Sequence, residues 1–264
     1  MPFDAFSAFR MNGHSAIVTG GAQNIGAGIA RLLSGAGARV LIADLNGDMA
    51  EATAAAIEKE TGHACIGMKC DVTSSDDIHA VVSAAHREFG GISTLVNNVG
   101  WGARHADPAA ITEDAFIDSY RLNTISAYRM SMACLPHLLK ADNATITNSG
   151  SFSSATPAYD ILAYATAKAA LNQMMISLAH MLAKKVRINS VLIGTVMTEG
   201  YASAGIDAAM QEKLRHPDNL TGRPGRPEDV ANAMLWLCSP AGSWVSGQII
   251  NVHGGGGVVR LFAS

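Results

Sequence analysis

The stretch Thr19-Gly20-Gly21-Ala22-Gln23-Asn24-Ile25-Gly26 decides the fold expected for this chain. It follows an apolar segment, Ala16 to Thr19, and precedes a helical pattern that starts near Ile25. Glycines at such a turn let the backbone approach a diphosphate, and the first turn of a helix presents free N–H groups and partial positive charge to it. The stretch therefore predicts the strand, turn and helix that open a dinucleotide-binding fold.

Asp44 extends this predicted site to the next strand. It ends an apolar segment and lies 44 − 26 = 18 residues after Gly26, where a carboxylate can hydrogen-bond the hydroxyls of an adenosine ribose. The carboxylate would repel a 2′-phosphate, and neither Gln23 nor Leu45 offers a cation to bind one. The sequence thus favours NAD over NADP, and the alternative for Asp44 is a solvated loop acid or a helix cap.

Seven short apolar segments alternate with helical patterns, the clearest of which is Ala163 to Lys185. Most segments are continuously apolar, as expected for parallel strands that are covered on both faces. The alternation predicts an α/β fold, a single doubly wound domain over residues 1–264 with helices on both faces of a parallel sheet. The predicted strands are Ala16 to Thr19, Val40 to Ala43, Ala64 to Cys70, Thr94 to Asn97, Thr145 to Asn148, Arg187 to Ile193 and Gln248 to Val252.

The composition excludes several classes of function. With 19 basic and 22 acidic residues the net charge is −3, so the chain offers no basic field for nucleic acid or an anionic membrane. Four cysteines form no CxxC pair and Met1 to Ser15 lacks the apolar run of a secretory signal, which predicts a cytoplasmic protein with reduced thiols. The nine histidines show no HExxH or comparable spacing, so we expect no metal.

Charge is scarce throughout and absent near the carboxyl end. Only 16% of the residues are charged, against about 25% in typical proteins, and Val230 to Val259 contains no Asp, Glu, Lys or Arg. Ser239-Pro240, Gly242 and Gly254 to Gly257 interrupt this run. It therefore predicts a helix end, a turn and a buried strand rather than a membrane span.

Two further strand ends contribute polar groups to the same crevice. Asp71 follows Cys70 and is placed to meet an adenine amine, while Asn97-Asn98-Val99-Gly100 brings backbone and amide groups beside the riboses. Each alone is also typical of a turn or a cap. Jointly they fall at the carboxyl ends of strands, where ligands bind in open α/β sheets.

Tyr164 and Lys168 are the predicted chemical centre. They are four residues apart on one helix face, so both side chains can point into the site. Tyrosine has an ordinary pKa of about 10, which a nearby ammonium would lower by stabilising the phenolate. A Tyr-x-x-x-Lys pattern arises often by chance, but Ser151, 13 residues earlier, and Asn123 in a preceding helix support the catalytic interpretation. Other candidates for the serine role are Ser149, Ser153 and Ser154.

Together these motifs resemble the short-chain dehydrogenase/reductase family over nearly the whole chain. The family's glycine motif matches Thr19 to Gly26, and its Asn-Asn-Ala-Gly motif matches Asn97 to Gly100. Its catalytic residues match Asn123, Ser151, Tyr164 and Lys168. The resemblance implies a Rossmann domain with strand order 3-2-1-4-5-6-7 and, usually, a homotetramer.

The resemblance also implies roles for these residues. Tyr164 would exchange the hydroxyl proton, Ser151 would hold the substrate oxygen, and Lys168 would bind the nicotinamide ribose and lower the tyrosine pKa. Asn123 would hold a water that links Lys168 to solvent. The implied cofactor contacts are Gly20, Gln23, Asn24, Ile25, Gly26, Asp44, Leu45, Asp71, Val72, Asn98, Val99, Gly100, Tyr164, Lys168, Gly194, Thr195, Val196 and Thr198.

Four positions depart from the family pattern. Asn24 replaces a glycine, which asparagine tolerates where a turn needs positive φ, and Val99 replaces an alanine. Ile193-Gly194 stands where Pro-Gly is usual, and Val252-His253-Gly254 replaces Val-Asp-Gly. None removes a catalytic group, so we expect an active enzyme.

The substrate side is marked by one long connection. No strand is predicted from Thr195 to Pro227, and a connection of this length is usually functional, so we interpret about residues 195–226 as a substrate lid, with an inert helical excursion as the alternative. The pocket side chains expected beside Ser151 and Tyr164 are bulky and mostly apolar, and no arginine is clearly placed to clamp a carboxylate. They are Trp101, Tyr159, Met197, Tyr201 and Met210.

These observations predict an NAD-dependent oxidoreductase that interconverts a hydrophobic secondary alcohol and a ketone. Leu237 to Ile249 is similar to the same stretch of bacterial 7α-hydroxysteroid dehydrogenases, which suggests a hydroxysteroid or another cyclic alcohol. The alternatives are an NADPH-dependent reductase of carrier-bound 3-oxoacyl groups and a non-catalytic dinucleotide-binding regulator. In the family the charge-free carboxyl-terminal region packs between subunits, so its composition predicts oligomerisation.

Overall fold

The computed structural model describes residues 4–105, 107–158, 160–198 and 219–255. Seven strands in these ranges form one sheet in the order β3-β2-β1-β4-β5-β6-β7, and every neighbouring pair is parallel. The predicted strand order is confirmed. The strands are β1 (Ser15–Thr19), β2 (Arg39–Asp44), β3 (Cys65–Lys69), β4 (Thr94–Asn97), β5 (Thr145–Ser151), β6 (Arg187–Ile193) and β7 (Ile249–Val252).

Helices cover both faces of the sheet. The helices are α1 (Asn24–Gly35), α2 (Gly47–Thr61), α3 (Ser75–Phe89), α4 (Glu113–Tyr120), α5 (Ser126–Leu138), α6 (Leu162–Met181) and α7 (Pro227–Cys238). Successive strand residues belong to separate cores: Ile17 shares a core with residues of α3, α5 and α6, and Val18 shares one with residues of α1, α2 and α7. Local capping fixes the helix ends: Ser74 caps α3 at Asp77, and Gly90 ends it with φ of +78°.

Two predicted boundaries are wrong in a way that matters for the site. Strand β5 continues past Asn148 to Ser151, because its last three residues stay in register with β6, where Ser151 pairs with Ile193. Helix α6 ends at Met181 rather than Lys185, and Lys184 in the following turn has φ of +66°. Of the remaining strands, β4 and β6 have the predicted bounds, β1 and β7 differ by one residue at one end, and β2 and β3 differ by one residue at each end.

The long connection after β6 is described only at its two ends. Val196 and Gly225 form a parallel bridge, with hydrogen bonds from the Gly225 N–H to the Thr195 carbonyl (2.9 Å) and from the Met197 N–H to the Gly225 carbonyl (2.9 Å). The two ends therefore lie side by side at the base of the predicted lid. Residues 199–218, with Tyr201 and Met210, lie outside the described residues, as does Tyr159.

Two features are absent from the described ranges. None of the helices there is both long and apolar enough to cross a membrane. The same ranges contain no cluster of three or more His, Cys, Asp or Glu side chains suited to a metal ion.

Candidate active site

A continuous cleft runs along the carboxyl ends of the strands. One part, of about 390 Å³, and a second, of about 250 Å³, share Ile25, Asn98 and Gly100 as walls. Twelve of the predicted cofactor contacts line the first part. Six further predicted site residues line the second part, together with Ser149 and Gly150. The first set is Gly20, Gln23, Asn24, Ile25, Gly26, Asp44, Leu45, Asp71, Val72, Asn98, Val99 and Gly100; the six are Ser151, Tyr164, Lys168, Gly194, Val196 and Thr198.

Other cavities fall outside this cleft. Thr195 lines an adjoining space of about 310 Å³ beside His253. A cavity of about 550 Å³ at the opposite edge of the sheet, beside His86 and His137, contains none of the predicted site residues. Cavity volume alone would therefore indicate a site away from the carboxyl ends of the strands, where the predicted residues meet.

The turn after β1 is shaped for a close ligand. A Cβ added at Gly26 would overlap the carbonyl oxygen of Gly20, so only glycine lets α1 start this close to the turn. Asn24 has φ of +52°, a conformation that asparagine tolerates, which accounts for its standing in place of glycine. Gln23 makes no side-chain cap to α1, so the first N–H groups of the helix face the cleft, as a diphosphate requires.

Asp44 closes the far end of the cleft. Its carboxylate accepts hydrogen bonds from the backbone N–H of Ala22 and of Asn46, both at 3.1 Å, which fixes it between the turn and α2. No lysine or arginine is among the described residues that line this part of the cleft. The end of β2 is thus suited to ribose hydroxyls and poorly suited to a phosphate.

Asp71 serves first as a turn residue. Its carboxylate accepts from both the N–H and the hydroxyl of Thr73, and these hydrogen bonds lower the pKa of Asp71. The alternative interpretation of Asp71 as a turn residue therefore holds for one of its two carboxylate oxygens. Asp71 nevertheless lines the cleft beside Val72, where adenine is expected.

Asn98 ties three strand ends together. Its amide donates to the Gly20 carbonyl (3.0 Å) and accepts from the Ser149 hydroxyl (2.9 Å), while its N–H donates to the Thr19 hydroxyl (3.0 Å). The Ser149 hydroxyl proton is thereby used in a hydrogen bond within the protein. The sequence did not single out Thr19, although a hydroxyl on the last residue of β1 was a visible signal.

Lys168 is buried beneath the second part of the cleft. Its ammonium donates to the backbone carbonyls of Ser149 (2.9 Å) and Val99 (3.2 Å), and it lies 5.8 Å from the centre of the Tyr164 ring. Burial disfavours the charged amine and lowers the pKa of Lys168 to about 7. A Cβ at Gly100 would lie 2.6 Å from the ammonium nitrogen, so glycine is needed there.

Tyr164 and Ser151 meet above this lysine. Burial raises the pKa of Tyr164, and hydrogen bonding with Ser151 acts to lower it. The Ser151 hydroxyl also accepts from the Ser153 N–H (3.3 Å) and lies 2.8 Å from the Ser153 hydroxyl, whereas Ser154 binds the Ser151 carbonyl (2.6 Å). Of the four candidate serines, Ser151 is therefore the one whose hydroxyl interacts with Tyr164.

Asn123 lies in a π-helical turn, Arg121–Ile125, between α4 and α5. Such turns occur frequently at functional sites. The side chain is 1% exposed; its oxygen accepts from the Trp101 N–H (3.1 Å) and its nitrogen donates to the carbonyls of Trp101 and Ser119, both at 2.9 Å. Asn123 thus fixes the loop that follows β4 beside Lys168.

The loop after β4 carries an exposed aromatic ring and a cation. Trp101 is 62% exposed there, and Gly102 packs so closely on Tyr164 that a Cβ would overlap it. Arg104 pairs with Asp160, whose carbonyl also accepts from the His105 N–H (2.8 Å). The sequence missed this pair, because only the fold brings the loop after β4 against the start of α6.

The departures near β7 are accommodated by local packing. The Gly194 N–H donates to the Val252 carbonyl (3.1 Å), so the loop after β6 is held by backbone despite its missing proline. The centre of the His253 ring lies 4.3 Å from that of Phe152, and a Cβ added at Gly194 would lie 2.6 Å from the Cβ of His253. The histidine therefore fills space between Gly194 and the residue that follows Ser151.

Comparison with known proteins gives a family and two named activities. A family model described as enoyl-(acyl carrier protein) reductase matches residues 20–256. The 7α-hydroxysteroid dehydrogenase of Escherichia coli K12 is 34% identical over 248 residues, 94% of this chain and 95% of that protein. The 4-formylbenzenesulfonate dehydrogenase of Comamonas testosteroni is 38% identical over 249 residues, 93% of this chain and 98% of that protein.

A solved structure agrees with these relatives. A 7α-hydroxysteroid dehydrogenase complexed with NADH and 7-oxoglycochenodeoxycholic acid superposes with a TM-score of 0.87 at 33% identity, covering 98% of this chain and all of that one. The match spans the sheet, the glycine turn and the strand ends described above. The chain belongs to the short-chain dehydrogenase/reductase family of oxidoreductases.

Proposed function

We propose that this chain is an NAD-dependent dehydrogenase that interconverts a hydrophobic secondary alcohol and the corresponding ketone. The observation that carries the proposal is the convergence of Ser151, Tyr164 and buried Lys168 on one end of a cleft whose other end holds Asp44. Related proteins that act on a steroid alcohol and on an aromatic aldehyde support a cyclic substrate, such as a hydroxysteroid.

The residues of the first part of the cleft would hold the cofactor. The N–H groups at the start of α1 would bind its diphosphate, and the Asp44 carboxylate would accept from the adenosine ribose. Tyr164 and Lys168 would bind the nicotinamide ribose. When bound there, NAD accepts the hydride from an alcohol carbon or, as NADH, returns it to a ketone.

Tyr164 would move the proton. In oxidation its phenolate takes the proton of the substrate hydroxyl, and in reduction the phenol returns it, while the Ser151 hydroxyl donates a hydrogen bond to the substrate oxygen. Burial raises the pKa of Tyr164, which opposes its use as a base. A protonated Lys168, whose ammonium nitrogen lies 5.8 Å from the centre of the Tyr164 ring, would stabilise the phenolate in this desolvated site.

The preference for NAD rests on Asp44. We expect kcat/KM with NAD to exceed that with NADP by about a hundredfold, since a 2′-phosphate would meet the carboxylate with no cation to offset it. Asp44→Ser should shrink this ratio to about tenfold or less, mainly by improving use of NADP. The matched control is Asp48→Ser on α2, an exposed acid in the same region, which should leave the ratio unchanged.

One experiment tests both the substrate class and the cofactor preference. Cyclohexanols, hydroxysteroids and hydroxylated bile acids are screened with NAD and NADP in parallel, and the reduced cofactor is followed by absorbance. Turnover of polycyclic alcohols with NAD supports the proposal. Strong NADPH preference with activity confined to carrier-bound 3-oxoacyl thioesters would overturn it in favour of an acyl-chain reductase, the chemistry nearer to the description of the matching family model.

We also propose a homotetramer. Two of the sets of exposed apolar residues lie on different elements, and two separate self-complementary surfaces are what a tetramer with dihedral symmetry needs. One set belongs to α4 and α5, and the other lies around the end of α7 and strand β7. The first comprises Phe116, Ile117, Tyr120 and Tyr128; the second includes Trp244 and Ile249. Sedimentation at micromolar concentration tests this, and a monomer there would refute it.

A further inference from the structure

A buried hydrogen-bond chain runs from α6 to the backbone of Ser151. Asn172, 6% exposed and one helical turn after Lys168, donates from its amide nitrogen to the Ser154 hydroxyl (2.9 Å). Ser154 in turn donates to the Ser151 carbonyl (2.6 Å). The chain thus joins the helix that carries Tyr164 to the residue that would hold the substrate oxygen.

The direction of this chain is fixed by its chemistry. The Ser151 carbonyl can only accept, so the single proton of Ser154 is used there. Ser154 must then accept from Asn172, which requires the NH2 side of the amide and turns the amide oxygen the other way. That oxygen is buried and has no hydrogen-bond partner among the described residues.

The position of the unpaired oxygen is equally constrained. It lies against the backbone of Gly150, where an added Cβ would sit 3.0 Å from it. An unpaired buried carbonyl costs free energy, and an apolar side chain of similar size would avoid that cost. The fold therefore keeps an unpaired amide oxygen directly behind Gly150 and Ser151. Such an unfavourable group is expected at a site where function is favoured over stability.

We propose that Asn172 is a positioning residue, acting through Ser154 to fix the Ser151 hydroxyl relative to Tyr164. The proposal rests on the proposed function, since it assigns Asn172 to the same proton-transfer geometry. Asn172 does not line the cleft and touches neither predicted substrate nor predicted cofactor positions. Its effect is transmitted through the turn Phe152–Ser154, which places Ser151 at the end of β5.

The test compares Asn172→Leu with Gln173→Leu, the exposed neighbour on the same helix. For Asn172→Leu we expect kcat to fall about tenfold or more while KM for NAD stays within about twofold, because a small misplacement of a reacting group is costly. The melting temperature should be equal to that of the unsubstituted enzyme or higher, since the unpaired oxygen is gone. Gln173→Leu should leave kcat unchanged.

A pH profile separates positioning from packing. If Ser151 moves away from Tyr164, it no longer acts to lower the pKa of the phenol. The acidic limb of alcohol oxidation should then shift to higher pH in Asn172→Leu and in Ser154→Ala, and not in Ser154→Thr, which keeps the hydroxyl. The double variant should lose no more than the worse single variant, because both act on one carbonyl.

Each outcome decides the question. Unchanged kcat and an unchanged acidic limb in Asn172→Leu would overturn the proposal, and Ser154→Ala against Ser154→Thr decides alone if the leucine variant does not fold. Tyr164→Phe is assayed in parallel. Retained turnover in Tyr164→Phe refutes the proposed function itself, whereas an inactive Tyr164→Phe beside a fully active Asn172→Leu refutes only the role of Asn172.

Discussion

The two ends of the cleft are built on different physical principles. The end proposed to bind adenosine, here the adenosine end, uses backbone groups and small residues: Gly20, Gly26 and the start of α1 shape it, and Asp44 is held by two backbone N–H groups. The end proposed for catalysis, here the catalytic end, uses buried side chains, with Lys168 desolvated beneath Tyr164. Under the proposed function, backbone shape would carry binding, and charged groups that burial disfavours would carry the chemistry.

The comparison teaches that the two ends should fail differently. A change at the catalytic end should remove turnover and leave cofactor binding, because the groups there act on protons. A change at the adenosine end should remove binding by steric overlap, with the catalytic groups intact. The substitutions below either separate the two ends in this way or show that they are one unit.

Tyr164→Phe gives the largest expected effect. Removing the phenolic hydroxyl takes away the proton acceptor, and kcat should fall by about a thousandfold or more. The Kd for NADH, measured by fluorescence, should change by no more than about threefold. Loss of NADH binding together with turnover would show that the two ends are not separable at this residue.

Gly26→Ala attacks the other end and should act on binding. The new methyl group would overlap the Gly20 carbonyl, so the turn must open and the Kd for NADH should rise about a hundredfold. Gly35→Ala is the matched control: it lies on the same helix with no atom within 4 Å of the added Cβ. Wild-type affinity in Gly26→Ala would contradict the assigned phosphate site.

The same contrast explains what the sequence could predict. The glycine turn and Asp44 were identified because backbone needs restrict residue type at fixed spacing. The strand order came from the family resemblance, and the end of β5 was missed because Ser149, Gly150 and Ser151 are small or polar and give no apolar signal. A pairing partner on β6, invisible in sequence, carries the strand to Ser151.

The residues of the catalytic end could be predicted from the sequence, but the groups that they contact could not. Tyr164 and Lys168 follow a pattern, but the carbonyls that hold Lys168 come from the loop after β4 and from β5, far along the chain. Asn172 gave no signal, since a buried asparagine and a surface one look the same in a helix. The Arg104–Asp160 pair likewise depends on two loops that only the fold brings together.

Burial of Lys168 predicts a pH-dependent stability. Its pKa is lowered to about 7 in the folded protein, against about 10.4 for an unfolded lysine, so between these values the unfolded chain binds more protons. The free energy of unfolding should therefore rise with pH from about 7 to 10 by up to about 1.4 kcal/mol per unit, and the destabilisation should be complete below pH 7.

Lys168→Met should remove this dependence. Urea unfolding at pH 7, 8 and 9 should show the unsubstituted protein gaining stability relative to the variant as pH rises. Lys59→Met, on the exposed face of α2, controls for the loss of a lysine. If the free energies of unfolding of the unsubstituted protein and of Lys168→Met changed with pH in parallel, burial of the Lys168 charge would not lower stability. The catalytic end would then not differ from the adenosine end in this respect.

Trp101→Ala gives the smallest expected effect, because Trp101 lies on the loop after β4, next to the catalytic end. Asn123 holds the Trp101 backbone, so truncating the exposed ring should leave the loop and kcat in place. The ring offers apolar area to a large substrate, and its loss should raise KM for a polycyclic alcohol about fivefold, near 1 kcal/mol. KM for cyclohexanol, too small to reach Trp101, serves as the internal control. An equal rise for both substrates would place Trp101 in the catalytic geometry itself and extend that end of the cleft outward to the loop after β4.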